Sequence, residues 1–179
     1  MALITTIPML AAAVVALAAL VTDVRSRRIP NSLTGSALLL GFFGNVLLDT
    51  VSDGASGAFA GGMSALAGAA LGLAMLFPFY MISVSGLGRA IGAGDVKLLA
   101  ALGAILGPHI LVSVAVYGAL AGAAQSIVIL ARQRRLALLF HQTLVMQTAP
   151  TLGGGKAPYA VAIAAGVFLA MLLPPIVRV

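Results

Sequence analysis

Apolar residues in this chain come in long runs, and the breaks between the runs carry the charges. Residues 3–22, LITTIPMLAAAVVALAALVT, form an unbroken run of 20 residues. At about 1.5 Å per helical residue this is long enough to cross a hydrocarbon core of roughly 30 Å. Positive charge follows the run, at Arg25, Arg27 and Arg28, whereas a secretory leader carries its positive charge ahead of the apolar part. The run therefore reads as a first membrane span with its N-terminus outside.

The next segment, Asp23 to Asn31, is a polar connector, and Asn31 or Ser32 supplies the side chain that starts the following helix. Residues 33–48 return outward, and Asp49, Ser52, Asp53 and Gly54 form a short outer turn. Residues 57–83 are apolar and carry Gly57, Gly61, Ala65, Gly68 and Gly72 at spacings of three or four. Such small-residue stripes let helix backbones approach closely in lipid, where dispersion drives association. Residues 84–94 read as a loop or broken helix, Val96 to Leu106 as a short helical segment, and Gly107-Pro108-His109 as a turn. A span follows from Ile110 to Ala131, with Gly118 and Gly122 as another close-packing pair. Residues 132–156 read as an interfacial stretch with Leu136, Leu139, Phe140 and Leu144 at helical spacing. The last span runs from about Pro158 to Leu173 and stops at Pro174-Pro175.

Composition narrows the class. The chain is 61% hydrophobic and 8% charged, with a mean hydropathy of +1.16, against about 25% charged residues in soluble domains. The expected fold is all-α: one polytopic membrane domain over residues 1–179, with about six transmembrane helices and both termini outside. There is no Cys, which removes thiolate nucleophiles and cysteine zinc sites. No cofactor and no metal are expected. The net charge of +6 serves orientation rather than nucleic acid. In a six-span arrangement nine of the ten basic residues fall on the cytoplasmic side and only Arg178 outside, as the positive-inside rule requires.

Candidate chemistry lies in the acids. The four acidic residues are Asp23, Asp49, Asp53 and Asp95, with no Glu. A carboxylate near the bilayer centre costs about 2.5–3.5 kcal/mol on insertion scales, so an acid at the edge of an apolar span points to function. The six-span topology brings Asp23 and Asp95 to the cytoplasmic face and leaves Asp49 and Asp53 in a solvated outer turn. Two carboxyl groups held close share a proton. One then acts as general base toward water while the other, protonated, acts as general acid on a scissile carbonyl. No HExxH or GxSxG motif appears, and His109 and His141 read as loop or interface residues. Gly92 and Gly94 precede Asp95 and admit two readings: glycine allows backbone conformations closed to other residues and lets a substrate strand approach, or the pair simply forms a loop before a helix. Lys97 admits two readings, a snorkelling lysine that fixes orientation or a member of the site; two residues apart on a helix, it does not face Asp95.

Three segments carry a family resemblance. Gly92-Ala93-Gly94-Asp95-Val96-Lys97 resembles the GxGDxK signature of type IV prepilin peptidases. Asp23 through Ile29-Pro30-Asn31 is similar to the first aspartate segment of that family, and Lys156-Ala157-Pro158-Tyr159 to the Pro-Tyr segment that opens its last helix. The resemblance implies a membrane aspartic endopeptidase that removes the basic leader of prepilin-like proteins at the cytoplasmic face of the inner membrane. It makes Asp23 and Asp95 the catalytic pair and sets Gly92, Gly94, Lys97, Asn31, Pro158 and Tyr159 near the substrate. Larger members carry a cytoplasmic cysteine-zinc domain associated with N-methylation, for which this chain has neither the length nor the cysteines. A short chain of this kind looks like the minimal peptidase of Tad/Flp pilus systems, with archaeal preflagellin peptidases as the alternative. The expected partners are a prepilin-like membrane protein and the lipid bilayer.

Two rival readings use the same residues. Presenilin-type proteases also use GxGD but pair it with Tyr-Asp and Pro-Ala-Leu motifs. Here Thr22 precedes Asp23, and Thr151-Leu152 follows Pro150. A channel or transporter subunit would use the aspartates to bind a cation or proton. Oligomeric state and cleavage site have no signature in the sequence.

Overall fold

Glycine in the left-handed region of backbone space decides where the long apolar runs turn back. The computed structural model describes residues 2–26, 28–84, 92–132 and 159–177. Within them the regular elements are four helices: α1 (Ala2–Ser26), α2 (Asn31–Val84), α3 (Ala93–Arg132) and α4 (Tyr159–Leu172). Helix α2 is interrupted at Asp53 (φ −130°, ψ 16°) and Gly54 (φ 65°, ψ −141°), and α3 at Gly107 (φ 72°, ψ 172°). Positive φ is open to glycine at little steric cost. Pro108, with no N–H to leave unpaired, then restarts the helix after Gly107. Each long helix is thus a pair of limbs, 31–52 and 55–84 in α2, 93–106 and 108–132 in α3, giving six helical segments among the described residues.

The small residues set how the limbs pack. In α2, a Cβ placed on Gly57 would run into the carbonyl of Asp49, and one on Gly61 would lie 2.5 Å from the carbonyl oxygen of Asn45, so the two limbs form an antiparallel hairpin. Gly68 and Gly103 meet backbone to backbone, each occupying the space a Cβ of the other would need, and a Cβ on Gly72 would lie 2.5 Å from the Leu99 carbonyl oxygen. These pairs run the second limb of α2 antiparallel to the first limb of α3. On the other side, a Cβ on Gly41 would lie 2.7 Å from the Ile105 nitrogen, and Asn31 meets Lys97, so the first limb of α2 runs parallel to 93–106. Helix α4 packs antiparallel to 108–132 through Gly118, Gly122, Ala162 and Gly166. The glycine stripe predicted for close packing does serve that purpose, with two different partners along its length.

The first limb of α3 is the centre of the bundle. Val96 and the apolar residues from Leu98 to Leu106 are all buried. Helix α1 turns a face of small residues inward, Ala12, Ala13, Ala16 and Ala19, and exposes Ile7, Leu10, Val14, Leu17, Val21 and Val24. Large apolar side chains outside and small ones inside reverse the order of a soluble bundle, and suit a surface whose solvent is lipid. Among the described residues three helical stretches, Thr6–Ser26, Asn31–Met81 and Ala93–Ile129, are long and apolar enough to cross a membrane, and α4 is a shorter apolar helix.

Polar groups inside this apolar mass are paired. The Asn45 amide donates to the carbonyls of Gly41 (2.9 Å), Ala104 (2.8 Å) and Ile105 (3.0 Å), tying α2 to α3. At the same end of the bundle the segment after α4 is held by Tyr117, whose hydroxyl donates to the Pro174 carbonyl at 2.8 Å. The buried Ser113 hydroxyl accepts the Ile176 N–H at 3.0 Å.

The predicted segments fall close to the observed ones. Helix α3 begins at Ala93, three residues before the Val96 expected, because Gly92 to Asp95 close its first turn. Of the predicted interfacial stretch 132–156, Arg132 ends α3 and residues 133–156, with His141, lie outside the described residues, as do Pro158, Arg27 and residues 85–91 of the predicted loop.

Candidate active site

One end of the bundle gathers the end of α1, the start of α2, the start of α3 and the start of α4. The connector between α1 and α2 rests on α3: a Cβ on Gly94 would lie 3.2 Å from Ile29 Cβ. Asp23 lies one helical turn before the end of α1, half-buried. Asp95 lies in the first turn of α3, also half-buried. The fold therefore brings two acids, 72 positions apart in the chain, to the same end of the bundle. Asp49 and Asp53 are at the opposite end, in the α2 turn.

Local chemistry explains the conformation around Asp95. Gly92 N–H donates to Asp95 Oδ2 at 3.1 Å, while Asp95 N–H donates to the Gly92 carbonyl at 3.1 Å. This reciprocal pair satisfies two backbone groups at a helix start, with the carboxylate at the third helical position reaching back to the capping residue. The turn also favours negative charge, since helix N-termini carry the positive end of the macrodipole. Neither Gly92 nor Gly94 has positive φ, and among the described residues that conformation occurs only at Gly54 and Gly107. Of the two readings of these glycines, a left-handed backbone is not the one Gly94 uses. What Gly94 supplies is room, and Ile29 of the same chain uses it.

The remaining predicted residues divide between two flanks. Lys97 Nζ donates to Asn31 Oδ1 at 3.1 Å, joining the starts of α2 and α3. Both side chains are exposed. Tyr159 opens α4, is half-buried, and stands close enough to Asp95 for the two to interact electrostatically. Ile29 was not singled out by sequence reasoning, although it sits inside the Ile-Pro-Asn segment; its signal was an apolar residue in an otherwise polar connector. Among the described residues no group of three or more His, Cys, Asp or Glu gathers in one place.

The helix register sets the depth of this end. The pairing of Gly68 with Gly103 and of Gly72 with Leu99 brings Asp95 level with about Leu76. The second limb of α2 then continues to Val84, about 12 Å further at 1.5 Å per residue. Phe77, Phe79 and Met81 on that continuation are exposed and apolar. Asp95 is therefore recessed below the end of a neighbouring helix whose surface is still suited to lipid.

A family model described as the type IV leader peptidase family matches residues 10–127. The chain belongs to the type IV leader peptidase family. The match includes Asp23 and Asp95, the Ile29-Pro30-Asn31 connector and the Gly92 to Lys97 turn, while α4 with Tyr159 lies beyond it. No curated protein and no solved structure matches the chain. Membership in a leader peptidase family makes the chain a peptidase, and its long apolar helices fit a membrane protein.

Proposed function

We propose that this leader peptidase is an aspartic endopeptidase of the inner membrane that removes the basic leader of a prepilin-like protein at the cytoplasmic face. Asp23 and Asp95 are its catalytic pair. One carboxylate takes a proton from the attacking water, and the other, protonated, donates to the scissile carbonyl oxygen; after attack, the proton held by the base passes to the leaving amine. The observation that carries the reading is the placement of Asp23 and Asp95 at one end of a bundle in a leader peptidase family member. The Gly92 N–H holds one oxygen of Asp95 in place, and Tyr159 opens α4 at the same end of the bundle.

Orientation follows from charge. Arg25, Arg28, Lys97 and Arg132 all lie toward the Asp95 end, while Asp49 and Asp53 lie at the other. Positive charge marks the cytoplasmic side, and this supports a reading with six crossings and both termini outside. The first limb of α3 and α4, of 14 residues each, are about 21 Å long at 1.5 Å per residue, shorter than a full hydrocarbon core of roughly 30 Å. Short segments flanking the site leave water a path to recessed carboxylates.

The test is cleavage of a recombinant precursor, with a basic leader and one apolar span, by the purified full-length protein in lipid, read by mass spectrometry. Wild type is expected to release the leader, and Asp23→Asn and Asp95→Asn to release none while purifying as folded protein. Unchanged cleavage by either variant would overturn the pair.

A further inference from the structure

The α2 hairpin and the first limb of α3 leave a groove between them at the basic end of the bundle. Leu38 on the first limb of α2 and Leu73 on the second form its sides, Ala100 of α3 its floor, and Asn31, Gly35 and Lys97 the end nearest the connector. Its volume is about 250 Å³. Ala100 is buried, whereas Gly35, Leu38 and Leu73 are exposed, so the groove opens sideways onto the apolar outer surface of the bundle. Gly35 keeps it open, since a Cβ there would meet nothing within 4 Å.

Along its length the groove changes character. Lys97 and Asn31 close one end, joined by a hydrogen bond of 3.1 Å at the start of α2. Leu38 lies further along the same helix, about 10 Å deeper at 1.5 Å per residue. A cationic head region thus passes into an apolar trough over about two helical turns. An amphiphile standing in one leaflet has the same order of parts, charge at the membrane surface and hydrocarbon below it. Size separates a hydrocarbon chain from a helix of a second copy: a cavity of about 150 Å³ already holds benzene, so part of one acyl chain fits, whereas a helix with its side chains is about 10 Å across.

Charge selects the head. Lys97 makes one hydrogen bond among the described residues, to the neutral amide oxygen of Asn31, and no ion pair with a carboxylate. Asp95, two positions earlier on α3, does not share its face. Arg25 and Arg28, on the end of α1 and the connector, add positive charge at this end. A phosphate diester with no cation of its own complements these surroundings, while a choline head would bring one more positive charge into them.

We propose that the groove is a binding site for one anionic glycerophospholipid, with its phosphate on Lys97 and one acyl chain lying between Leu38 and Leu73. The bound lipid supplies the counter-charge that the chain itself does not offer to Lys97, and its hydrocarbon covers the open side of the hairpin against α3.

The experiment titrates the purified full-length protein in detergent with phosphatidylglycerol or phosphatidylcholine of identical acyl chains, without substrate, and reads bound lipid by native mass spectrometry. One phosphatidylglycerol per chain is expected to bind at least about fivefold more tightly than phosphatidylcholine, the worth of one basic residue at an anionic lipid surface. Lys97→Met is expected to remove that preference and Lys97→Arg to keep it. Gly35→Leu fills the trough without meeting backbone and is expected to weaken both lipids by about tenfold or more, because buried methylenes are lost from the contact. Arg132→Met, at the same end but outside the groove, and Leu66→Phe, at a position 56% exposed and outside it, are expected to bind as wild type does. Thermal unfolding of each variant, measured in parallel, separates loss of lipid from loss of fold. Equal binding of the two lipids by wild type, a preference unchanged in Lys97→Met, or a phosphatidylglycerol affinity unchanged in Gly35→Leu would overturn the site. Inorganic phosphate that raises the unfolding temperature as much as phosphatidylglycerol does would make the ligand a free anion and overturn the lipid as well. Because binding is read without substrate, each of these results leaves the leader-peptidase reading to its own cleavage test.

Discussion

Ile29 lies over the first turn of α3 at Gly94, where an added Cβ would meet its own Cβ at 3.2 Å. This contact seats the segment that follows Asp23 against the segment that carries Asp95. The position of one acid thus depends on the size of a residue beside the other.

A substitution series at Gly94 follows from that contact. Gly94→Ala asks Ile29 to shift by a few tenths of an ångström and is expected to slow leader cleavage by less than about tenfold. Gly94→Leu has to displace the connector, and misplacing reacting groups by about 1 Å costs about a hundredfold. Steady-state cleavage rates of the two variants, with expression matched, check the order; equal rates for Gly94→Leu and wild type would refute it.

The Gly68–Gly103 contact predicts a stability effect without direct involvement of the acids. Gly68→Val places a branched side chain against the Gly103 carbonyl, where backbone rather than a movable side chain stands in the way. Overpacking of this kind costs about 1–3 kcal/mol or more. Thermal unfolding in detergent is expected at a lower temperature for Gly68→Val than for Gly35→Ala, since a Cβ on Gly35 meets nothing within 4 Å.

Asn45 makes a second stability prediction. Its amide bridges two helices through three carbonyl oxygens, and interhelical hydrogen bonds in membrane proteins are worth about 0.6 kcal/mol on average and up to about 1.7. Asn45→Leu is expected to destabilise the fold by about 1 kcal/mol and to leave the pH profile of cleavage unchanged, measured by denaturant unfolding and by activity on the same preparation.

The pair mechanism also predicts a pH signature. Activity requires one carboxyl group ionised and the other protonated, so kcat/KM falls at low pH as the base gains its proton and at high pH as the acid loses its own. The two apparent pKa values belong to the pair rather than to either residue. A single-limbed profile measured on wild type would contradict a shared proton.

Much of this architecture was legible in the chain because its two turns are written in residue types with one strong conformational use, Asp53-Gly54 and Gly107-Pro108. The stripe from Gly57 to Gly72 announced close packing for the same reason: removing side chains in lipid has few other uses. Its partners were not legible, since Gly61 facing Asn45 and Gly68 facing Gly103 depend on how two hairpins fold together. Around Asp95 the glycine-rich composition suggested a loop through residue 94, yet the reciprocal Gly92–Asp95 hydrogen bonds start the helix at Ala93. Residue types identified Asp23 and Asp95 as candidates and the order of spans set them at one end, whereas the Gly92–Asp95 hydrogen bonds and the seating of Ile29 on Gly94 required the fold.

The central claim is that Asp23 and Asp95 face one another closely enough to act on one water. The natural sequence contains no Cys, so the double variant Asp23→Cys/Asp95→Cys carries the only two thiols in the protein. Treatment of this variant in membranes with a short bifunctional thiol reagent, followed by intact-mass analysis, is the most direct measurement. The account predicts a single reagent bridging both thiols within one chain; two separate adducts, one on each cysteine with no bridge, would contradict it.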